Sequence, residues 1–322
     1  MSGSAPTRSS ARRGLALALG AWIALAGTAH AAFPVDVPDD RGRAIHVAGP
    51  VKRIVVAGPL LFAQIVDELG IADRVVGVAE SPEIPERFRA IPRVGEVGAV
   101  SVERVMALEP DLILGAYGPS RDGLEAAGLL VYTPLPADDI AGVLRTIEQV
   151  ERAALGESRA APELARKLTT EVAAIEARVS GQARVRVALL YPLPGSPPLT
   201  SGSGTPEHEL LVKAGAENVF ADTPKYHRVS YEEILRRDPD AIIVDPSELD
   251  WTRTNEVVSS LRAVRAGRVL TVRPSTWVST RFPDTIRRVA EWLHPGAFAA
   301  SGAAAQDPPA AATPPPAVGP RP

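Results

Sequence analysis

The chain has 322 residues, 45% of them hydrophobic, which is enough for two cores of ordinary domain size. Its 35 basic and 38 acidic residues give a net charge of −3, which argues against a nucleic-acid or anionic-membrane partner. None of the residues is cysteine, so disulfides, thiolate metal sites, iron–sulfur ligation and a lipid-bearing cysteine are excluded within them.

Arg8, Arg12 and Arg13 precede an apolar run from Leu15 to Ala26, and Ala29-His-Ala31 places small residues at a cleavage spacing. This pattern predicts a cleaved signal peptide over 1–31, export to the periplasm, and a mature start at Ala32 or Phe33. The run is short for a membrane span. The Arg12-Arg13 pair leaves the twin-arginine route open beside the general one. Loss of the leader removes three arginines and no acid, so the mature chain is more acidic still.

Residues 32–50 read as a hairpin: Val35 and Val37 alternate with polar residues, Asp39 to Gly42 is turn chemistry, and Ile45 and Val47 resume the alternation. A buried strand is predicted at 54–57, a helix at 60–69 closed by Gly70, and a strand at 75–78. Further on come a helix near 123–127, a strand at 129–133 and a helix at 140–155. Strands alternating with helices predict an α/β fold with parallel sheets.

Ser101 to Leu114 returns 129 positions later as Ser230 to Ile243. Each copy reads as a serine-capped helix, an acidic-Pro-Asp stop and a buried strand. So long a period is not that of a solenoid and implies two similar lobes. Between the copies, residues 158–180 lack glycine and carry their one proline near the start. Leu164, Leu168, Val172, Ile175 and Val179 share one face, which predicts a helical rod of about 30 Å. The second lobe opens with a strand at 185–191, a Pro/Gly-rich loop and a helix capped by Thr205 with Pro206 in its first turn. A strand at 269–272 and a helix at 285–293 close it. The expected organisation is a leader over 1–31, a first lobe over 32–157, a linking helix over 158–181, a second lobe over 182–298, and a disordered Ala/Pro tail over 299–322.

Several short stretches, in order, carry a resemblance: Arg53-Ile-Val-Val, Asp73-Arg-Val-Val-Gly-Val78, Pro92-Arg-Val-Gly95, the two repeats, Leu199-Thr-Ser-Gly202, Ala216-Glu-Asn-Val219, Gly267-Arg-Val269 and Leu293-His-Pro295. Over about residues 35–298 the chain resembles the periplasmic solute-binding proteins of ABC importers for cobalamin, haem and ferric siderophores. The resemblance implies two Rossmann-like lobes joined by one rigid helix, a ligand between them, and docking on a permease–ATPase complex. The protein is then a monomeric binding protein with no catalytic residues and no resident cofactor or metal. Its ligand is a metal chelate. The second lobe is most similar to the cobalamin-binding branch, through Ser196 to Gly202, Glu217 to Phe220, and Trp277 with Pro283 six positions on. The first lobe has Val97 where that branch has an aromatic, which leaves haem and ferric siderophores as alternatives.

Trp277 follows a predicted strand end, where open α/β sheets bind ligands, and is expected to face the cleft rather than cap the core. Tyr226 stands where the cobalamin branch carries a ligand-facing tryptophan, and His227 follows it. Both residue types ligate haem iron, although a surface pair is the commoner meaning. Ser201 and Gly202 open a Ser-Gly-Ser-Gly-Thr run that either presents N–H groups to an anion or merely caps a helix. Pro59, Leu60, Glu80 and Tyr117 occupy analogous strand ends in the first lobe. Glu103 and Glu232 sit in the first turn of each repeat helix, where an acid complements the helix dipole. The resemblance gives them a second role, one carboxylate per lobe for a two-fold permease. A rival reading, an exported hydrolase, lacks a Gly-x-Ser-x-Gly elbow and a metal-ligand cluster. A sensor that docks on a receptor is a further alternative.

Overall fold

The computed structural model describes residues 33–81 and 83–299. The expected leader and all but the first residue of the expected tail lie outside them. A hairpin of β1 (Val35–Pro38) and β2 (Ala44–Val47) comes first, its turn at Asp39 to Gly42 as the sequence predicts. Two six-stranded sheets follow within one unit beginning at Ala31.

The first sheet contains β3 (Ile54–Val56), β4 (Val75–Glu80), β5 (Arg93–Glu96), β6 (Ala99–Val100), β7 (Leu112–Leu114) and β8 (Val131–Tyr132), in the order β6-β5-β4-β3-β7-β8. All but β6 run parallel. Helices α1 (Leu60–Glu68), α2 (Val102–Met106), α3 (Gly118–Ala126) and α4 (Ile140–Leu155) connect or cover them. Helix α5 (Ala160–Val179) then leads to the second sheet. That sheet holds β9 (Val185–Leu193), β10 (Ser196–Ser201), β11 (Ala216–Asn218), β12 (Tyr226–Arg228), β13 (Ala241–Val244) and β14 (Val269–Thr271). Its order is β12-β10-β9-β13-β14, with β11 beside the first half of β9. Its helices are α6 (Pro206–Lys213), α7 (Tyr231–Arg237), α8 (Leu249–Thr254), α9 (Arg262–Arg265), α10 (Phe282–Leu293) and α11 (Pro295–Phe298).

The five apolar positions predicted for α5 are all buried, in a core that continues from Ile54 and Leu112 of one sheet to Val187 and Ile243 of the other. The linking helix is thus packed along both lobes rather than strung between them. Its first N–H groups, at Ala160 and Ala161, donate to the buried Glu151 carboxylate of α4, each at 2.7 Å. This cap comes from the neighbouring helix and replaces the missing side-chain cap of Arg159.

The two repeat copies build the same device. Ser101 and Ser230 each accept a bond from the N–H three residues on, at 3.2 Å. Glu109 and Asp238 end the helices with φ of 44° and 38°. Arg53 donates to the carbonyls of Leu108 and Glu109, and Arg186 donates to those of Arg237 and Asp238. Asp111 and Asp240 accept from the N–H groups of Arg53 and Arg186. The acidic-Pro-Asp stop therefore joins each helix end to the start of the central strand, β3 or β9.

Candidate ligand-binding cleft

Strands β3 and β7 adjoin at the point where the first sheet reverses its strand order, and open α/β sheets bind ligands outside such a point. Gly58 and Gly115 follow these strands so closely that a Cβ on Gly58 would lie 2.6 Å from the Gly115 carbonyl. Gly115 also has φ of +78°, so both positions need glycine. Above them opens a pocket of about 430 Å³. Pro59, Leu60 and Phe62 from the start of α1, Tyr117 after β7, and the 133–137 loop after β8 form one side. Ser275 and Val278, after β14, form the other. Tyr117 and Leu135, 43% and 51% exposed, are brought together in this lining.

The one charged residue of this lining, Asp40, belongs to a buried network. The wholly buried Arg121 donates to Asp39 at 2.6 Å, to Glu125 at 2.8 Å and to Asp40. Arg43 adds bonds to Asp39 at 2.8 Å and Glu125 at 2.7 Å. Hydrogen bonds from Arg43, with burial opposing and Arg121 assisting, hold the Glu125 carboxyl down to about 2. The network fastens the hairpin turn to α3 and so fixes the pocket wall at Asp40.

Tyr226, half exposed on β12, is not among the residues that line this pocket. Its hydroxyl donates to the buried Glu207 at 2.8 Å, and Tyr191 donates to the same carboxylate at 2.8 Å. Burial first, then the Glu207 charge, pushes both phenols well above their ordinary pKa. Among the described residues five contacts bridge the lobes around the cleft, one of them a hydrogen bond from the Ser275 hydroxyl to Glu83. Lys225 pairs with Asp138 at 3.3 Å, Arg273 with Glu83 at 3.1 Å, Ile140 N–H donates to Glu209 at 2.9 Å, and Thr280 N–H donates to Gln64 at 3.2 Å.

Comparison with known proteins turns this geometry into a family. A profile described as periplasmic binding protein matches residues 55–276. The chain belongs to the periplasmic binding protein family. The ABC transporter substrate-binding lipoprotein YvrC of Bacillus subtilis is 27% identical over 83% of this chain and 87% of its own length. A vitamin B12-binding protein of Salmonella typhimurium is 33% identical over 52% of this chain and 64% of its own. Among solved structures, an ABC-type Fe3+-hydroxamate transport protein from Saccharomonospora viridis aligns with a TM-score of 0.68 and 28% identity, over 81% of this chain and 99% of that one. A periplasmic heme-binding protein from Pseudomonas aeruginosa shares the fold, with a TM-score of 0.66 and 24% identity over 76% and 93%. The two-lobed α/β architecture expected from the repeats and motifs is the one these proteins have.

Within this periplasmic binding protein the expected site residues scatter. Pro59, Leu60 and Tyr117 do converge, on the pocket over β3 and β7. Glu80 and Val97 do not join them and line a separate, more open depression with Ser81, Arg93 and Glu96. Trp277 is a correction: it is 1% exposed and belongs to the core shared by both lobes, while its neighbours Ser275 and Val278 reach the pocket. The helical turn at 274–276 rotates the tryptophan inward. His227 alternates to the face of β12 opposite Tyr226 and packs edge-on against Phe220 at 5.9 Å. Tyr226 is held as a neutral phenol on Glu207, which works against a tyrosinate ligand there. The anion-cradle reading of Ser201 and Gly202 also fails. Ser201 is wholly buried, and the N–H groups of Gly202 and Ser203 donate to Lys225 and Thr223, each at 2.9 Å. The run caps α6 instead, through Thr205.

Sequence reading missed the Thr133-Pro-Leu-Pro-Ala137 loop, Phe62, Val278 and Glu207. The loop directly follows a predicted strand end, so the rule that singled out Tyr117 applied to it equally. Glu207 had no signal, because its tyrosine partners meet it only through sheet pairing. Among the described residues no three His, Cys, Asp or Glu side chains gather as a metal ion requires.

Glu103 and Glu232 are both exposed in the first turn of α2 and α7, and neither forms an ion pair among the described residues. Their own backbone N–H groups, then the Ser101 and Ser230 hydroxyls, hold both carboxyls below the ordinary range. They present matched, unneutralised charge at equivalent places.

Proposed function

We propose that this protein captures a metal chelate, a cobalamin-type corrinoid first, in the cleft and delivers it to an ABC permease and its ATPase. The observation that carries the reading is the apolar pocket at the carboxyl ends of the first sheet, flanked by Ser275 and Val278 of the second lobe. Such a cleft suits a large, flat, largely apolar ligand. The relatives named as vitamin B12-binding proteins support the corrinoid. Delivery is read from Glu103 and Glu232, one carboxylate per lobe for a two-fold partner.

The second reading is haem or a ferric siderophore. It draws on Tyr117, whose hydroxyl makes no hydrogen bond among the described residues and stands at the pocket as a free phenol. In either case the role is binding rather than catalysis. Export with cleavage after Ala31 places the monomer in the periplasm. Unlike a lipoprotein relative, the chain has no cysteine to carry a lipid.

Titration calorimetry with cyanocobalamin, haemin and a ferric hydroxamate tests the ligand. Saturable binding of none of them at micromolar concentration overturns the proposal. For delivery, Glu103→Arg and Glu232→Arg together should leave chelate affinity unchanged and abolish uptake, since rim charges govern encounter with a partner. Normal uptake by the double variant removes the docking role.

A further inference from the structure

A second groove, of about 430 Å³, lies at the carboxyl edge of the second sheet and shares no residue with the chelate pocket. Its rim is the proline-rich turn joining β9 to β10, with Pro192, Pro194 and Pro197. Its floor is Tyr231 and Trp251, both half-buried and packed on the outer core of that lobe. Tyr231 is held in place. Asn255 donates to its hydroxyl oxygen at 3.1 Å, and Asn255 itself accepts from the N–H groups of Val257 and Val258 at 3.2 and 3.0 Å.

The single charged residue in this lining is Glu248. It is half-buried, and its carboxylate forms no hydrogen bond or ion pair among the described residues. A carboxylate so placed, beside two fixed aromatic rings, lacks a cation. A planar guanidinium meets both demands, since it stacks on aromatic faces and pairs with a carboxylate in the same plane. An ammonium meets only the second. The lining residue Tyr231 is followed in α7 by the exposed Glu232.

We infer that this groove receives an arginine side chain of the permease, on the same segment that meets Glu232. The inference rests on the delivery reading above. The first lobe has Val102 where Tyr231 stands in the second copy, so the aromatic half of this contact belongs to the second lobe. Docking is then specified by a pair of glutamates common to both lobes and an arginine socket in one.

The test uses the full mature protein and the permease–ATPase complex of the same organism in lipid nanodiscs, with binding measured by surface plasmon resonance at low and physiological salt. Glu248→Arg should weaken binding at least about tenfold, and Glu248→Gln should weaken it less while flattening the salt dependence. Trp251→Leu should weaken it also, with the melting temperature measured beside it so that a folding defect is recognised. Binding of Glu248→Arg within about twofold of the parent overturns the inference. So does a loss of cyanocobalamin or haemin affinity in that variant, which would put the groove in the chelate site. A dimer in sedimentation velocity that Glu248→Arg dissociates would overturn it in favour of a second copy. If Glu103→Arg weakens docking while Glu248→Arg does not, delivery stands and the socket falls. If neither does, both fall.

Discussion

Replacing Arg121 by methionine should destabilise the protein by about 3–5 kcal/mol, the cost of removing one partner from a buried ion pair. The structure sets the size. Arg121 is 0% exposed and Asp39 1% exposed, so the change leaves a desolvated carboxylate whose remaining cationic partner, Arg43, is partly in water. At roughly 2–4 °C per kcal/mol, the melting temperature should fall by about 6–20 °C. Calorimetry at pH 7.5 measures it. Asp39→Asn added to the variant should restore part of the loss, because it removes the stranded charge. The difference also has a pH signature. Glu125 is depressed from 4.5 to about 2 in the folded protein, so its stabilisation is present above pH 4.5 and is lost as pH falls toward 2. The gap between wild type and variant should therefore narrow across that window. A fall in melting temperature of under about 3 °C, or a gap that is constant with pH, would refute the reasoning.

Trp277→Ala should lower stability by about 3–5 kcal/mol in chemical denaturation, since it empties a core site rather than a ligand contact. Gly202→Ala should cost about 3 kcal/mol or more, because its Cβ would lie 1.7 Å from the Thr223 carbonyl oxygen. Gly204→Ala, at φ +72° with only the flexible Lys225 chain nearby, should cost about 1–2 kcal/mol. Thermal melts of the pair separate close packing from backbone strain. Tyr117→Ala and Leu135→Ser should each weaken chelate binding by about 1–3 kcal/mol with little change in melting temperature, read by calorimetry with whichever chelate binds.

The features legible in the chain alone are local and periodic. The five buried positions of α5, the serine caps of α2 and α7, the threonine cap of α6 and the two helix-stop-strand repeats follow from spacing and residue chemistry. Those signals act within a few residues and hold whatever the rest of the chain does. Strands β5, β6, β10, β11 and β12 were not legible. They are short or proline-bearing, and their stability comes from pairing with neighbours rather than from their own pattern. The site was legible only where it sits on a strand end, as at Pro59, Leu60 and Tyr117. Tertiary structure alone decided that one turn of helix carries Trp277 into the core, that alternation on β12 sends Tyr226 and His227 to opposite faces, and that Glu207 gathers two tyrosines. It also decided that Glu151 caps the linking helix and that Arg121 collects three carboxylates. Each of these depends on where a side chain points once distant segments have packed, and that direction is a property of the packed chain, not of the residues beside it in sequence.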